Sequence, residues 1–213
     1  MIRVVTIERE YGCGGGEIAQ QLASRLGWKL WDQNLTEEIA RLARCSKNVV
    51  ENREERNDPL YYRLFKSFLR GSFEGSINAH KLNLVDSESI MKITRRVVEH
   101  VAEKGECVIV GRGSQHYLAN DPDTLRVFLY APSDYKVGRL IARGKSQKEA
   151  VELVDTVDRG RAAYIEKYFH VEWPNRAIYH AMLNTAPSDD AVVQAILDLK
   201  KIVEGSARPP YAH

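Results

Sequence analysis

Val4-Val-Thr-Ile-Glu-Arg-Glu-Tyr-Gly-Cys-Gly-Gly-Gly-Glu-Ile-Ala19 is the stretch on which the fold turns. An apolar, β-branched run enters a loop with four glycines in five residues, and a helical pattern of Ile18, Leu22 and Leu26 follows. Strand, Gly-rich turn and helix together make a phosphate cradle. Glycine lets backbone N–H groups converge on an anion, and the helix N-terminus adds its positive dipole end. A tight turn with close packing is the simpler reading, but three consecutive glycines cost more backbone entropy than such a turn requires. The common phosphate-binding loop reads G-x-x-x-x-G-K-[ST]. With a strand over residues 4–7, the motif starts on Arg9 and its last three positions fall on Gly14, Gly15 and Gly16. The lysine and the hydroxyl are both missing. A dinucleotide fingerprint, Gly12-x-Gly14-x-x-17, fails because residue 17 is Glu where Gly or Ala is needed.

Working outward, apolar β-rich runs alternate with helical patterns, which predicts parallel βαβ units. Strands are expected over 3–7, 29–31, 107–110, 126–130 and 181–184. Helices are expected over 16–26, 36–45, 59–69, 87–104, 133–143, 146–169 and 188–203. Gly105 reads as a C-cap, and Ser188-Asp-Asp opens the last helix with acids in its first turn. The expected architecture is therefore α/β: a three-layer α/β/α domain around a mostly parallel sheet of about five strands. It spans residues 1–203, with 204–213 as a tail. Residues 46–86 break the rhythm and read as a helical insert, and 139–168 read as a helical lid.

The 213 residues suffice for one sizeable core. A net charge of +2 does not predict a nucleic-acid partner. No apolar run reaches the roughly 20 residues that span a bilayer, and Met-Ile-Arg leads straight into a strand pattern. No membrane association and a cytoplasmic location are the expectations. The three cysteines, Cys13, Cys45 and Cys107, are too scattered for a zinc site or a disulfide framework. Cys13 lies at a helix N-terminus, which lowers a thiol pKa, although a small residue filling a tight loop is the plainer reading.

Three constellations carry candidate chemistry. Gly12, Cys13, Gly14, Gly15 and Gly16 form the phosphate loop. Glu17, beside the position of the missing hydroxyl, reads either as a metal contact or as a first-turn acid that would repel phosphate. Arg9 is the nearest cation; its plain alternative is a solvated loop arginine. Arg112 lies in Gly111-Arg112-Gly113, just past an apolar strand, where open α/β sheets bind ligands. A guanidinium there suits a bidentate phosphate contact. Asp155, Asp158 and Arg161 run along one helical stripe, by itself a pattern of solvated faces. Arg139 and Arg143 stand four apart, repel each other slightly, and so suggest an anion between them. Asp32 ends the second strand on the presumed ligand edge, and His180 reads as a packed histidine.

Four segments then line up in an informative order: Thr6 through Ala19; Val108-Ile-Val-Gly-Arg-Gly-Ser114; Arg126-Val-Phe-Leu-Tyr-Ala-Pro132 followed by Arg139; and Asp155-Thr-Val-Asp-Arg-Gly-Arg161 ending in Leu183-Asn-Thr185. Together they resemble the cytidylate kinase-like family, a branch of the P-loop nucleoside monophosphate kinases. The resemblance implies transfer of the ATP γ-phosphoryl group to CMP, dCMP or a similar monophosphate, with Mg²⁺. By that analogy residues 12–17 hold the donor phosphates. Arg112, Asp158 and Arg161 hold the acceptor, and Arg139 and Arg143 are catalytic lid arginines; beside the analogy, Arg9 is expected to replace part of the missing lysine in catalysis, and Asp32, at the ligand edge, to join the acceptor site. The metal ligands stay open. Two departures stand out: the family's Gly-Arg-Asp is Gly-Arg-Gly here, and the arginine expected four residues before Asp158 is Val154.

Overall fold

The computed structural model describes residues 1–35, 37–39, 41–42 and 87–206. The expected insert, its helix over 59–69 and most of the tail lie outside the described residues. The helix expected over 36–45 does so in part, and helical backbone is already present at 33–35.

Strand β1 (Val4–Arg9) lies at the centre of a five-stranded sheet. Its companions are β2 (Lys29–Trp31), β3 (Cys107–Val110), β4 (Thr124–Tyr130) and β5 (Ala181–Asn184). The order is β2-β3-β1-β4-β5 and every pairing is parallel. Strands covered on both faces need continuous apolar runs, and β1 and β3 are buried along their whole length. Along β1 the side chains alternate between two cores: Val4 joins one, Val5 and Ile7 the other.

Helices α1 (Gly15–Leu26) and α6 (Asp189–Gly205) cover one face with Ile18, Leu22, Val193 and Ile196. Helices α2 (Ser87–Lys104) and α5 (Gln147–Phe169) cover the other with Val98, Val101, Tyr164 and Ile165. This gives the three layers expected from the sequence. A short helix α3 (Ser114–Tyr117) and the 3₁₀ turn Arg176–Ile178 were not anticipated. Helix α4 (Ser133–Ala142) forms a hairpin with α5, closed by a third small core of Tyr11, Leu140, Ala150, Val154 and Val157. Among the described residues no helix is long and apolar enough to cross a membrane.

Caps account for several boundaries. The Ser146 hydroxyl accepts from the Glu149 N–H (3.2 Å), and the Ser188 hydroxyl from the Ala191 N–H (3.4 Å). Gly105 adopts φ 69° and closes α2. The main difference concerns β1, which runs to Arg9 rather than ending at Ile7. Glu8 and Arg9 stay in register with Phe128 and Leu129 of β4, so the ladder continues past the apolar run.

Candidate functional site

The chain leaves β1 at the C-terminal edge of the sheet, where the connection runs to β2 on one side while β4 flanks the other. Open α/β sheets bind ligands at such a switch point. The loop that follows is tied down at nearly every residue. The Arg9 carbonyl accepts from Arg161 Nη1 (2.8 Å) and the Tyr11 N–H donates to Asp158 Oδ1 (2.8 Å). The Cys13 carbonyl accepts from the Thr185 hydroxyl (2.6 Å). Gly12 and Gly14 adopt φ 81° and 85°, open at little cost only to glycine. Past Gly14 begins α1, whose first-turn N–H groups have no intrahelical partner. The Cys13 thiol is packed against the Leu129 carbonyl, and burial pushes its pKa up to about 11. Cys13 therefore fills the loop and is not activated by the helix.

Arg9, Arg112 and Arg161 are all buried at this edge, between 1 and 4 % exposed. Burial lowers the pKa of Arg9, and the neighbouring Arg161 lowers it further. Burial also lowers Arg112, to about 10, with Asp32 acting in the opposite sense. A guanidinium keeps its proton in proteins, so both sites need buried counter-charge. Glu8 and Asp32, themselves buried, supply counter-charge to Arg9. The reading of Arg9 as a solvated loop arginine is thus overturned: continued strand pairing carries it into the interior. A Cβ on Gly15 would lie 2.9 Å from both Cβ and Cγ of Arg9, and one on Gly111 would lie 2.2 Å from its Nη1. The glycines before and after the site make room for this one side chain.

Arg112 stands in a run of three left-handed residues: Gly111 φ 65°, Arg112 φ 61° and Gly113 φ 69°. Such a conformation costs an arginine about 1–2 kcal/mol, and strain of this kind concentrates at ligand sites. A Cβ at Gly113 would lie 2.6 Å from the Phe169 ring, which also stacks on His116 with centroids 4.4 Å apart. The carboxylate of the family's Gly-Arg-Asp has no room here.

The α4–α5 hairpin supplies a second set of charges. Asp158 and Arg161 face inward and pair at 3.2 Å, whereas Asp155 pairs with Arg159 on the exposed side. The solvated-stripe reading therefore fails for Asp158 and Arg161, because that face of α5 packs on the end of β1, the loop after it and Lys136 of α4. Burial raises the Asp158 pKa, against Arg161, the Tyr11 N–H and Lys136. Lys136, not singled out from the sequence, is buried with its Nζ 2.8 Å from Glu10 and 3.5 Å from Asp158. It stands one helical turn before the buried Leu140, on the same face, which was the available signal.

Arg139 lies directly on the loop: a Cβ at Gly14 would fall 2.5 Å from its Cζ. Asp189 grips the guanidinium with both oxygens (2.9 and 2.8 Å), raises its pKa, and was read from the sequence only as a helix-dipole residue. Glu17 stands between two arginines, 3.5 Å from Arg139 and hydrogen-bonded to Arg143. The anion that the Arg139/Arg143 spacing suggested is, in this structure, a carboxylate of the protein.

Arg9, Gly12, Gly14, Gly15, Gly16, Glu17, Arg143 and Arg161 line one narrow cleft. Arg139 touches its loop, and Asp158 reaches it through Tyr11. Arg112 and Asp32 lie in the adjoining buried charge cluster, and Cys13 points away. His180, expected as a packed histidine, is half-buried and its Nδ1 accepts from the Arg126 N–H (2.9 Å), outside the site.

A glycine-rich loop at a helix N-terminus, ringed by arginines at the edge of a parallel sheet, meets the model of the cytidylate kinase-like family, which matches residues 4–187. The chain belongs to the cytidylate kinase-like family. A 69-residue stretch is 39% identical to a cytidylate kinase of Shewanella sediminis strain HAW-EB3. That match covers 32% of this chain and 30% of the relative, so it spans less than a third of the enzyme it resembles. Among solved structures, an uncharacterized protein from Eubacterium ventriosum superposes with a TM-score of 0.67 at 21% identity, covering 97% of this chain and 100% of that one. Shikimate kinase from Acinetobacter baumannii, in complex with shikimate, gives 0.51 at 14% identity over 98% and 97%. At these identities the superpositions show a shared fold, that of P-loop kinases. This member of the cytidylate kinase-like family keeps that fold and the loop's place in it, without the loop's lysine.

Proposed function

We propose that this chain is an ATP-dependent kinase that moves the γ-phosphoryl group to a nucleoside monophosphate, CMP, dCMP or a similar acceptor. The observation that carries the reading is the convergence of three buried arginines, Arg9, Arg112 and Arg161, beside the glycine loop. Phosphoryl transfer asks a protein mainly to position reactants and to stabilise charge on the transferring group. Guanidiniums already desolvated and oriented do this without reorganising during reaction, and one such donor contributes about 3–4 kcal/mol.

The loop amides and α1 would hold the donor phosphates. Arg139, fixed on Gly14 by Asp189, brings a cation to the loop from outside it and takes over part of the missing lysine's work. Arg112 and Arg161 would hold the acceptor phosphate, with Asp158 keeping Arg161 in place. Magnesium, which family membership implies, shields phosphate charge when bound. Among the described residues no cluster of three or more His, Cys, Asp or Glu forms a cage, and magnesium commonly needs only one or two carboxylates beside phosphate oxygens and water. Glu17, 40% exposed and lining the cleft, fits that role better than buried Asp32.

Glycines at 15 and 16, in place of the lysine and hydroxyl, favour a second reading: a nucleotide-binding protein that has lost transfer chemistry. Incubation with ATP, Mg²⁺ and a panel of nucleoside monophosphates separates the two. Formation of ADP and a diphosphate with any acceptor supports the kinase. ATP binding without turnover of any acceptor overturns it in favour of the second reading.

A further inference from the structure

We infer that Glu17 makes the donor site select magnesium-complexed nucleotide over free nucleotide. The inference rests on the nucleotide reading above and adds a specificity determinant to it. Four cations around the cleft already face a carboxylate, Arg161 with Asp158, Lys136 with Glu10, Arg139 with Asp189 and Arg143 with Glu17, and Arg9 behind them faces Glu8. The resting site is close to charge balance, so a triphosphate cannot enter as into an empty cationic hole. Either a carboxylate must leave or positive charge must arrive with the ligand.

Three of the four carboxylates are anchored. Asp158 accepts the Tyr11 N–H and Glu10 accepts the Ala131 N–H (3.3 Å), so both hold backbone in place. Asp189 grips Arg139 through two bonds at the start of α6. Glu17 is the most exposed of the four, at 40%, and contacts the guanidiniums of Arg139 and Arg143. It lines the same cleft as Gly14, Gly15 and Gly16, in the first turn of α1. Phosphate oxygens on those amides therefore lie beside a carboxylate, where like charges repel across a partly desolvated gap. A divalent cation on the phosphates reverses that interaction, and the same carboxylate then favours the ligand.

The test is calorimetric titration of wild type, Glu17→Gln and Glu17→Asp with ATP in EDTA and with ATP in excess Mg²⁺. Glu17→Gln is expected to tighten metal-free ATP at least fivefold while Mg-ATP tightens less than twofold or weakens. Glu17→Asp keeps the charge and is expected to keep the wild-type preference. Equal change in both titrations for Glu17→Gln, or no gain for metal-free ATP, overturns the inference and leaves the kinase reading standing. Wild type that binds neither form overturns the nucleotide reading, and this inference with it.

Discussion

Arg9 shows how one residue can decide the identity of others distant in sequence. Its stem lies against Gly15 and its guanidinium beneath Gly111, so both neighbours must lack a Cβ. Gly111→Ala would add the cost of a left-handed alanine and displace a buried charge, together about 2–3 kcal/mol. For a domain of this size that lowers Tm by roughly 5–10 °C, measurable by thermal denaturation. Arg112 is expected to act on one ligand more than the other: Arg112→Ala should weaken monophosphate binding at least tenfold and ATP binding less than threefold. Equal losses in the two titrations would remove its assignment to the acceptor. Position was legible in the sequence at this scale, since Gly-Arg-Gly after an apolar strand points to the ligand edge. Burial was not. That Arg9 belongs to the strand depends on pairing with β4, more than a hundred residues away, which no local pattern records.

Among the elements, the α4–α5 hairpin carries the largest charge cluster and was the hardest to read. Caps and apolar spacing gave its helices within a residue or two. Its inward face could not be told from a solvated one, because Asp158 and Arg161 have the spacing of an ordinary surface pair. Only the end of β1, the loop after it and Lys136 make the difference. Removing one partner of a buried pair leaves the other charge uncompensated, typically at a cost of about 3–5 kcal/mol. Asp158→Ala should therefore lower stability by that order in urea denaturation, and the loss of its bond to the Tyr11 N–H should weaken ATP binding in the same protein. A variant with normal stability and normal ATP affinity would show that the hairpin does not set the loop.

For the whole molecule, layer order and strand count followed from the alternation of apolar runs and helical patterns, because parallel strands covered on both faces leave that signature. The connections, α3 and the 3₁₀ turn, were invisible because they are too short to carry a period. Stability of the assembled domain should depend on pH through its half-buried histidines. Burial is the first cause lowering the pKa of both His116 and His180. A histidine kept neutral in the folded state contributes stability that is present above the unfolded value of about 6.5 and is lost as pH falls from there through the folded pKa. Tm should fall between pH 7.5 and 5.5, and His180→Asn, which keeps an acceptor for the Arg126 N–H, should flatten that fall. An identical pH slope in the variant would assign the effect elsewhere.

The crowding between residues 9 and 15 also limits how this chain can be rebuilt. In the common motif glycine holds the first position and lysine the seventh; here arginine holds the first and glycine the seventh. Because the Arg9 stem fills the volume a residue-15 side chain would start from, the two arrangements exclude each other. Gly15→Lys alone should misfold the loop, while Arg9→Gly combined with Gly15→Lys should restore a soluble, ATP-binding protein. A lysine-bearing loop is thus two simultaneous substitutions away, since neither change alone leaves a packed loop.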